Sequence, residues 1–363
     1  MSESKDFTTV LVKDDRLMVH DSITYGVQKG AQQITSAIFE ATSQSPTSHV
    51  YNVVVPSLET IIDRHVRWSS TVTLRITATV PNNKQCIFYG RNDCLAPFPL
   101  HSLVSSMSVT INNNTVSLAT KDTLSATIRL LDQRELAQYN GSTPTNFDTY
   151  ATYSEIPAGA SNNVFRGFDS TAPDGTCKNR GSFALDSVTD GKVANTAMEV
   201  NTTGGPVAGQ TCIVKFTVSE PLMISPFLFA HTKSNNSGLY GVQNMSFMMN
   251  MASDAKRVWR HFDTGGADIT NIEVIDFSNS RLTFNFLSPD PSSVMPSRCV
   301  VPYYEMPRYL TTQTAVCPAR AGFAYVGGPI SAEAKSYQST TISLNQIPDK
   351  LIIFARKQKS KLG

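Results

Sequence analysis

The sequence predicts an all-β chain of two antiparallel β-sandwiches side by side, with one short amphipathic helix in the first. Three observations carry this. Apolar and polar residues alternate with a period of two in many short stretches, the pattern of a strand with one face in a core. Turn residues punctuate those stretches every 8–12 residues, the spacing of sandwiches and barrels. At 363 residues the chain is long enough for about two domains.

The strictest strand is TVTLRITATV, in which Val72, Leu74, Ile76, Ala78 and Val80 fall on one face and Thr71, Thr73, Arg75, Thr77 and Thr79 on the other. Met107, Val109 and Ile111 alternate into the turn Asn112-Asn113-Asn114, and Val116 and Leu118 alternate out of it. Asn tolerates positive φ, so this reads as a hairpin. Cys212, Val214, Phe216 and Val218 alternate, as do Phe247, Met249 and Met251, then Leu282, Phe284 and Phe286. The methionines of 245–251 read as flexible filling between two sheets. Further strands are expected at 339–344 and 351–355. The helix is expected within 122–138, where Leu124, Ile128 and Leu131 recur at helical spacing and Asp122 is placed to cap the start. Gly, Ser, Asn, Pro and Asp clusters make 140–211 a long loop insertion. The expected domains are an N-terminal arm, 1–50, a first sandwich, 51–211, and a second, 212–363.

Charged residues make up 17% of the chain, below the roughly 25% of ordinary soluble domains, and Ser, Thr and Asn take their place. Such a surface suits a protein packed among its own copies. The formal net charge is +2. Lys5 and Lys13 are balanced by Glu3, Asp6, Asp14 and Asp15, and only Arg356, Lys357, Lys359 and Lys361 form a basic tail. Coating a genome takes many more phosphate-neutralising charges, so direct, sequence-specific nucleic-acid binding is not expected. The start shows no signal-peptide pattern, and no apolar stretch reaches membrane-span length. Asn113, Asn140, Asn201, Asn235 and Asn244 lie in N-x-S/T sequons, read as chance matches in an Asn-rich chain.

No reactive constellation emerges, and no catalytic, cofactor-binding or metal-binding residue is assigned. Cys86, Cys94, Cys177, Cys212, Cys299 and Cys317 lack ligand spacing and read as free thiols in a reducing compartment. His20, His49, His65, His101, His231 and His261 are isolated, each read as an ordinary surface or packed histidine. Asp63, Arg64, His65 and Arg67 cluster beside Trp68, which reads as a strand whose charges pair at a domain or subunit boundary. GxSxG, HExxH and GxxxxGK[ST] are absent.

Several stretches together resemble the double jelly-roll major capsid proteins of the adenovirus-hexon and tailless-phage lineage, especially the polinton- and adintovirus-like branch. They are NVVVPSLETIIDRHVRWSSTVTLRI (52–76), LAPFPLHSLVSSMSVTINNNTVSL (95–118), SEPLMISPFLF (219–229), GLYGVQNMSFMMN (238–250), RVWRH (257–261), VPYYEMPRY (301–309) and LNQIPDKLIIFARK (344–357). The resemblance implies a structural protein of the virion, assembled in the host cell and not an enzyme. Each sandwich would be a jelly roll, and three subunits would form a pseudo-hexagonal capsomer that tiles an icosahedral shell. Partners would be other copies, neighbouring capsomers, and penton and minor capsid proteins, with no cofactor. In the family the second jelly roll continues past the stretch matching 344–357. The second sandwich is therefore expected either to be truncated, with an exposed apolar edge beside 351–355, or to be a compact variant. Two other readings stand beside this one: a trimeric fibre or spike that binds a receptor, and a carbohydrate-binding jelly-roll protein. A fibre needs a repeated shaft or a coiled-coil stem, and a sugar-binding face needs paired carboxylates and exposed Trp on one sheet face, while the whole chain holds only two Trp residues, Trp68 and Trp259.

Overall fold

In the computed structural model, residues 8–12, 25–29, 33–83, 86–87, 93–96, 98–124, 185–189, 203–228, 238–261 and 268–289 are described, with short stretches between 303 and 353. Strands β1 (Thr8–Val12) and β2 (Tyr25–Lys29) form an antiparallel pair of their own. The main body begins at β3 (Gln33–Glu40), turns a corner through β4 (Ser43–Gln44) and returns along β5 (Ser48–Val54). After the short β6 (Ile61–Ile62) comes the 14-residue β7 (Arg67–Val80). Beyond it lie β8 (Asp93–Leu95), helix α1 (Pro99–Leu103), β9 (Val104–Ile111) and β10 (Asn114–Leu118). The order closes with β11 (Ser187–Thr189), β12 (Val207–Pro221), β13 (Asn244–Met251), β14 (Trp259–His261) and β15 (Asp268–Ser288).

Two antiparallel sheets hold the main strands, ordered β10-β9-β13-β5-β4 and β11-β12-β7-β15-β3. Eight of these strands nest as one long hairpin folded over itself. The first, β3, pairs with the last, β15; β5 pairs with β13, β7 with β12, and β9 with β10. That nesting, with β15 also on β7 and β13 also on β9, is the eight-stranded jelly roll.

The alternation seen in the sequence decides which side faces in. Val72, Leu74, Ile76, Ala78 and Val80 are all fully buried, as are Cys212, Val214, Phe216, Phe247, Met249, Leu282 and Phe284. Phe247 and Phe284 meet across the two sheets at 5.9 Å between ring centroids. Burial of each such side chain is worth about 1.5–3 kcal/mol relative to exposure. Met245, Met249 and Met251 fill the interior as expected, whereas Met248 points outward.

The expected division of the chain is corrected by the strand pairing. The boundary at 211/212 falls inside β12, which pairs along its length with β7 of the supposed first sandwich. Likewise β13 and β15, assigned to the second, pair with β5, β9 and β7. One complete jelly roll therefore runs from 33 to 288. The expected arm of 1–50 is also too long, because β3 and β4 already belong to the sandwich. The physical reason is that nested pairing joins strands distant in sequence, while the expectation grouped strands by proximity.

Two further expectations change. Helix is present at 120–124, with Asp122 buried inside its first turn and its N–H donating to the Ala119 carbonyl rather than capping the start; the rest of 122–138 lies outside the described residues. Most of the 140–211 insertion does too, though β11 and the start of β12 fall within it. By contact the chain divides into two units, 1–305 with 358–363, and 306–357. Among the described residues of the second unit none is in a strand, so the strands expected at 339–344 and 351–355 are not formed there. Tyr309 donates to the Ser343 carbonyl (3.1 Å), and Leu351 and Ile353 are exposed.

Candidate assembly surface

The jelly roll offers two outward sheet faces, and register fixes what each displays. On the β4-β5-β13-β9-β10 sheet, Ser48, Asn250 and Ser106 stand in one row. The next row is Ser43, Val50, Met248, Ser108 and Ser117. Asn52, Ser246, Thr110 and Thr115 follow, then Val54 beside Asn244. None of these residues is charged. Their polar groups partly satisfy one another: Thr110 and Thr115 hydroxyls lie 2.8 Å apart, and Asn250 Nδ2 donates to Ser106 Oγ at 3.1 Å. Val54 and Met248 are 70% and 46% exposed.

The outward face of the other sheet differs. Arg67 and Arg75 rise from β7, Lys215 from β12, Glu273 and Arg281 from β15, and Glu40 from β3. Arg75 Nη1 donates to Glu273 Oε1 at 2.7 Å, and Arg281 lies opposite Glu40 in register. Such a face is held in water by the cost of stripping its ions of solvent.

Inside, two polar clusters pin the sheets. Glu220, at the end of β12, accepts hydrogen bonds from the Leu100 N–H (2.7 Å) and the His101 N–H (3.2 Å) of α1. The His101 ring meets the same carboxylate at 2.6 Å through Nδ1, while its Nε2 accepts from the Met223 N–H at 3.1 Å. Because Nε2 is an acceptor, the ring proton sits on Nδ1 and points at Glu220. Both side chains are fully buried. The second cluster surrounds Ser280. Trp68 Nε1 donates to Tyr51 Oη (2.9 Å), which lies 2.5 Å from Ser280 Oγ, and His49 Nδ1 approaches that hydroxyl at 3.2 Å. A β-bulge between Ser278 and Arg281, with Asn279 at φ 52°, turns Ser280 into the core. Burial lowers the His49 pKa to about 4, partly offset by a hydrogen bond with the Ser45 backbone. Burial raises Tyr51 to about 12 against the bonds from Ser280 and Trp68.

The cluster read at Asp63, Arg64, His65 and Arg67 does not converge on one point. Asp63 Oδ1 accepts from the His65 N–H and lies 2.7 Å from its ring, and Asn285 Nδ2 donates to Oδ2. Burial raises the Asp63 pKa, but these bonds and the His65 charge outweigh it and hold it low. Arg64 turns inward to donate to the Pro226 carbonyl, and Arg67 reaches Ser219 on the outer face. Cys86 and Cys212 are buried and outside any disulfide, the Cys86 thiol being pushed up to about 12 by burial and the charge of Asp93. The other four cysteine side chains lie outside the described residues. No helix among the described residues is long and apolar enough to cross a membrane.

The nested strand order, with two polar clusters pinning its sheets, defines the chain as a jelly-roll β-sandwich protein. The model of the Sputnik virophage major capsid protein first domain matches residues 5–287, and the chain belongs to that family. The family is structural, made of capsid proteins of the virion and not of enzymes or fibres. A putative capsid protein, V20, of Sputnik virophage is 25% identical over 360 residues, covering 96% of this chain and 54% of that protein. Among solved structures, the cryo-EM structure of the Sputnik virophage aligns with a TM-score of 0.60 at 22% identity, over 84% of this chain and 58% of the other. The mavirus major capsid protein aligns with a TM-score of 0.53 at 14% identity, over 80% and 54%. The chain thus spans a little over half the length of the relatives it matches. The finer polinton- or adintovirus-like branch is not resolved by these matches.

Proposed function

We propose that this chain is the shell-building subunit of a viral capsid. Three copies associate into a capsomer, and capsomers tile an icosahedral shell as pseudo-hexagonal units. The observation that carries the reading is the complete β3-to-β15 jelly roll coinciding with the match to a capsid-protein domain over 5–287. Sandwiches suit this role because the core is rigid while the loops at its ends vary without disturbing it. Penton and minor capsid proteins would complete the shell at its vertices and seams. Sedimentation velocity of the purified chain at micromolar concentration tests this reading. The expected result is a species of three copies; a stable, folded monomer overturns it.

A further inference from the structure

We infer that the outer edge of β3 takes up the β1–β2 ribbon of a second copy of this chain, with β2 alongside β3. Each copy gives its ribbon to the next. The inference rests on the capsid reading above and names a contact by which three copies close.

β3 is the last strand of its sheet, with β15 on one side and no strand of the described residues on the other. The Ala41 N–H donates to the Ser280 carbonyl of β15. Alternation along the strand then turns the N–H and C=O groups of Ile34, Ser36, Ile38 and Glu40 away from β15. The Asp63 N–H, reaching the Asn285 carbonyl from the far side of β15, fits the same phase. Such a row of backbone groups is a template for another strand, and natural edges are blunted by Lys, Pro or a bulge. β3 has no Lys or Pro, a single charge at Glu40, and a register with β15 that runs without a bulge. Ile34 and Ile38 are 68% and 57% exposed beside this edge.

The ribbon is the complementary piece. Among the described residues β1 and β2 pair only with each other, Val10 opposite Val27 and Val12 opposite Tyr25. A sheet of two strands is marginal in water and gains stability from a third. Its five-residue strands fit within the eight residues of β3. The connection to β3 disfavours the copy's own ribbon as occupant. Only Gly30, Ala31 and Gln32 join β2 to β3. A three-residue hairpin loop calls for glycine at its last, left-handed position; here that position holds Gln32 and the glycine stands first. Short connections that resist closing favour exchange of the element between copies. Ribbon to edge is also a head-to-tail contact, in which two different surfaces meet. Repeated by rotation, such a contact closes a ring, as a capsomer of three copies requires.

The test uses the full chain. Copies with Val27→Cys and copies with Ile38→Cys are co-expressed and treated with a short bismaleimide. A covalent two-copy band should form in the mixture, well above the band from either variant alone, which sets the background of the native cysteines. Ser36→Pro removes one outward N–H from the edge and leaves the β15 ladder intact, and edge strands tolerate proline. By mass photometry it should weaken association roughly tenfold, the scale of one lost hydrogen bond per contact. A folded Ser36→Pro variant that assembles at parent strength overturns the edge assignment while leaving the capsid reading standing. So does a mixture of an oligomeric parent's Cys variants with no band above background. Should Ser36→Pro fail to fold by circular dichroism, the cross-link decides alone. A Val27→Cys, Ile38→Cys double variant that cross-links only within single copies overturns the second copy as occupant. A monomeric parent overturns the capsid reading itself.

Discussion

His49 is fully buried, with its ring centroid 4.4 Å from that of Phe277 and no hydrogen-bond partner for its Nε2 among the described residues. With a folded pKa of about 4 against 6.5 in the unfolded chain, the histidine stays neutral in the fold while the unfolded state takes up a proton. Its stabilising contribution is therefore complete above pH 6.5 and falls as pH drops towards 4, by up to roughly 3 kcal/mol. His49→Gln should flatten the difference in unfolding free energy over that window, measured by urea titration at several pH values. A parallel pH dependence in parent and variant would refute the assignment. Glu220 makes a second residue-scale prediction. Glu220→Ala leaves two backbone N–H groups of α1 and the His101 ring without their acceptor, and should cost about 3–5 kcal/mol of stability in the same titration. An effect below 1 kcal/mol would show the cluster to be incidental. Neither cluster was legible in the sequence. His49 meets Ser280 and His101 meets Glu220 across 231 and 119 residues of chain, so local spacing shows only isolated histidines.

At the scale of elements, the β9–β10 hairpin shows what local sequence does carry. Its two-residue loop puts Asn112 and Asn113 at φ 44° and 75°, the positive angles that a turn matching strand twist requires. The Asn run therefore located the turn correctly, although Asn114 already belongs to β10. Asn112 does more, accepting from the Gln243 N–H (2.8 Å) and donating to the Gly241 carbonyl (2.7 Å), which ties the turn to the approach of β13. Asn113→Gly should be neutral or slightly stabilising, whereas Asn112→Gly should cost about 1–2 kcal/mol through the lost side-chain bonds. Equal effects in thermal unfolding would contradict this division of roles. Individual strands such as β7 and β12 were readable because each has one buried face. Their partnership was not, because a connection of more than a hundred residues separates β7 from β12 and alternation says nothing about which strand lies alongside. The Ser280 bulge was equally hidden, since it breaks the period-two pattern just before Leu282.

At the scale of the whole molecule, the low charge content read from composition proves to be unevenly distributed: charges gather on one sheet face and leave the other. Composition could not show that distribution, because which residues share a face depends on the register of five strands. The fold class was legible and the number of sandwiches in the described chain was not, because one jelly roll draws its strands from 33 to 288. The central claim is that this jelly roll is a unit of a self-assembling shell. Negative-stain microscopy of the purified chain at assembling concentration tests it most directly. The account predicts discrete particles whose class averages show threefold symmetry; a uniform field of folded single-copy particles would contradict it.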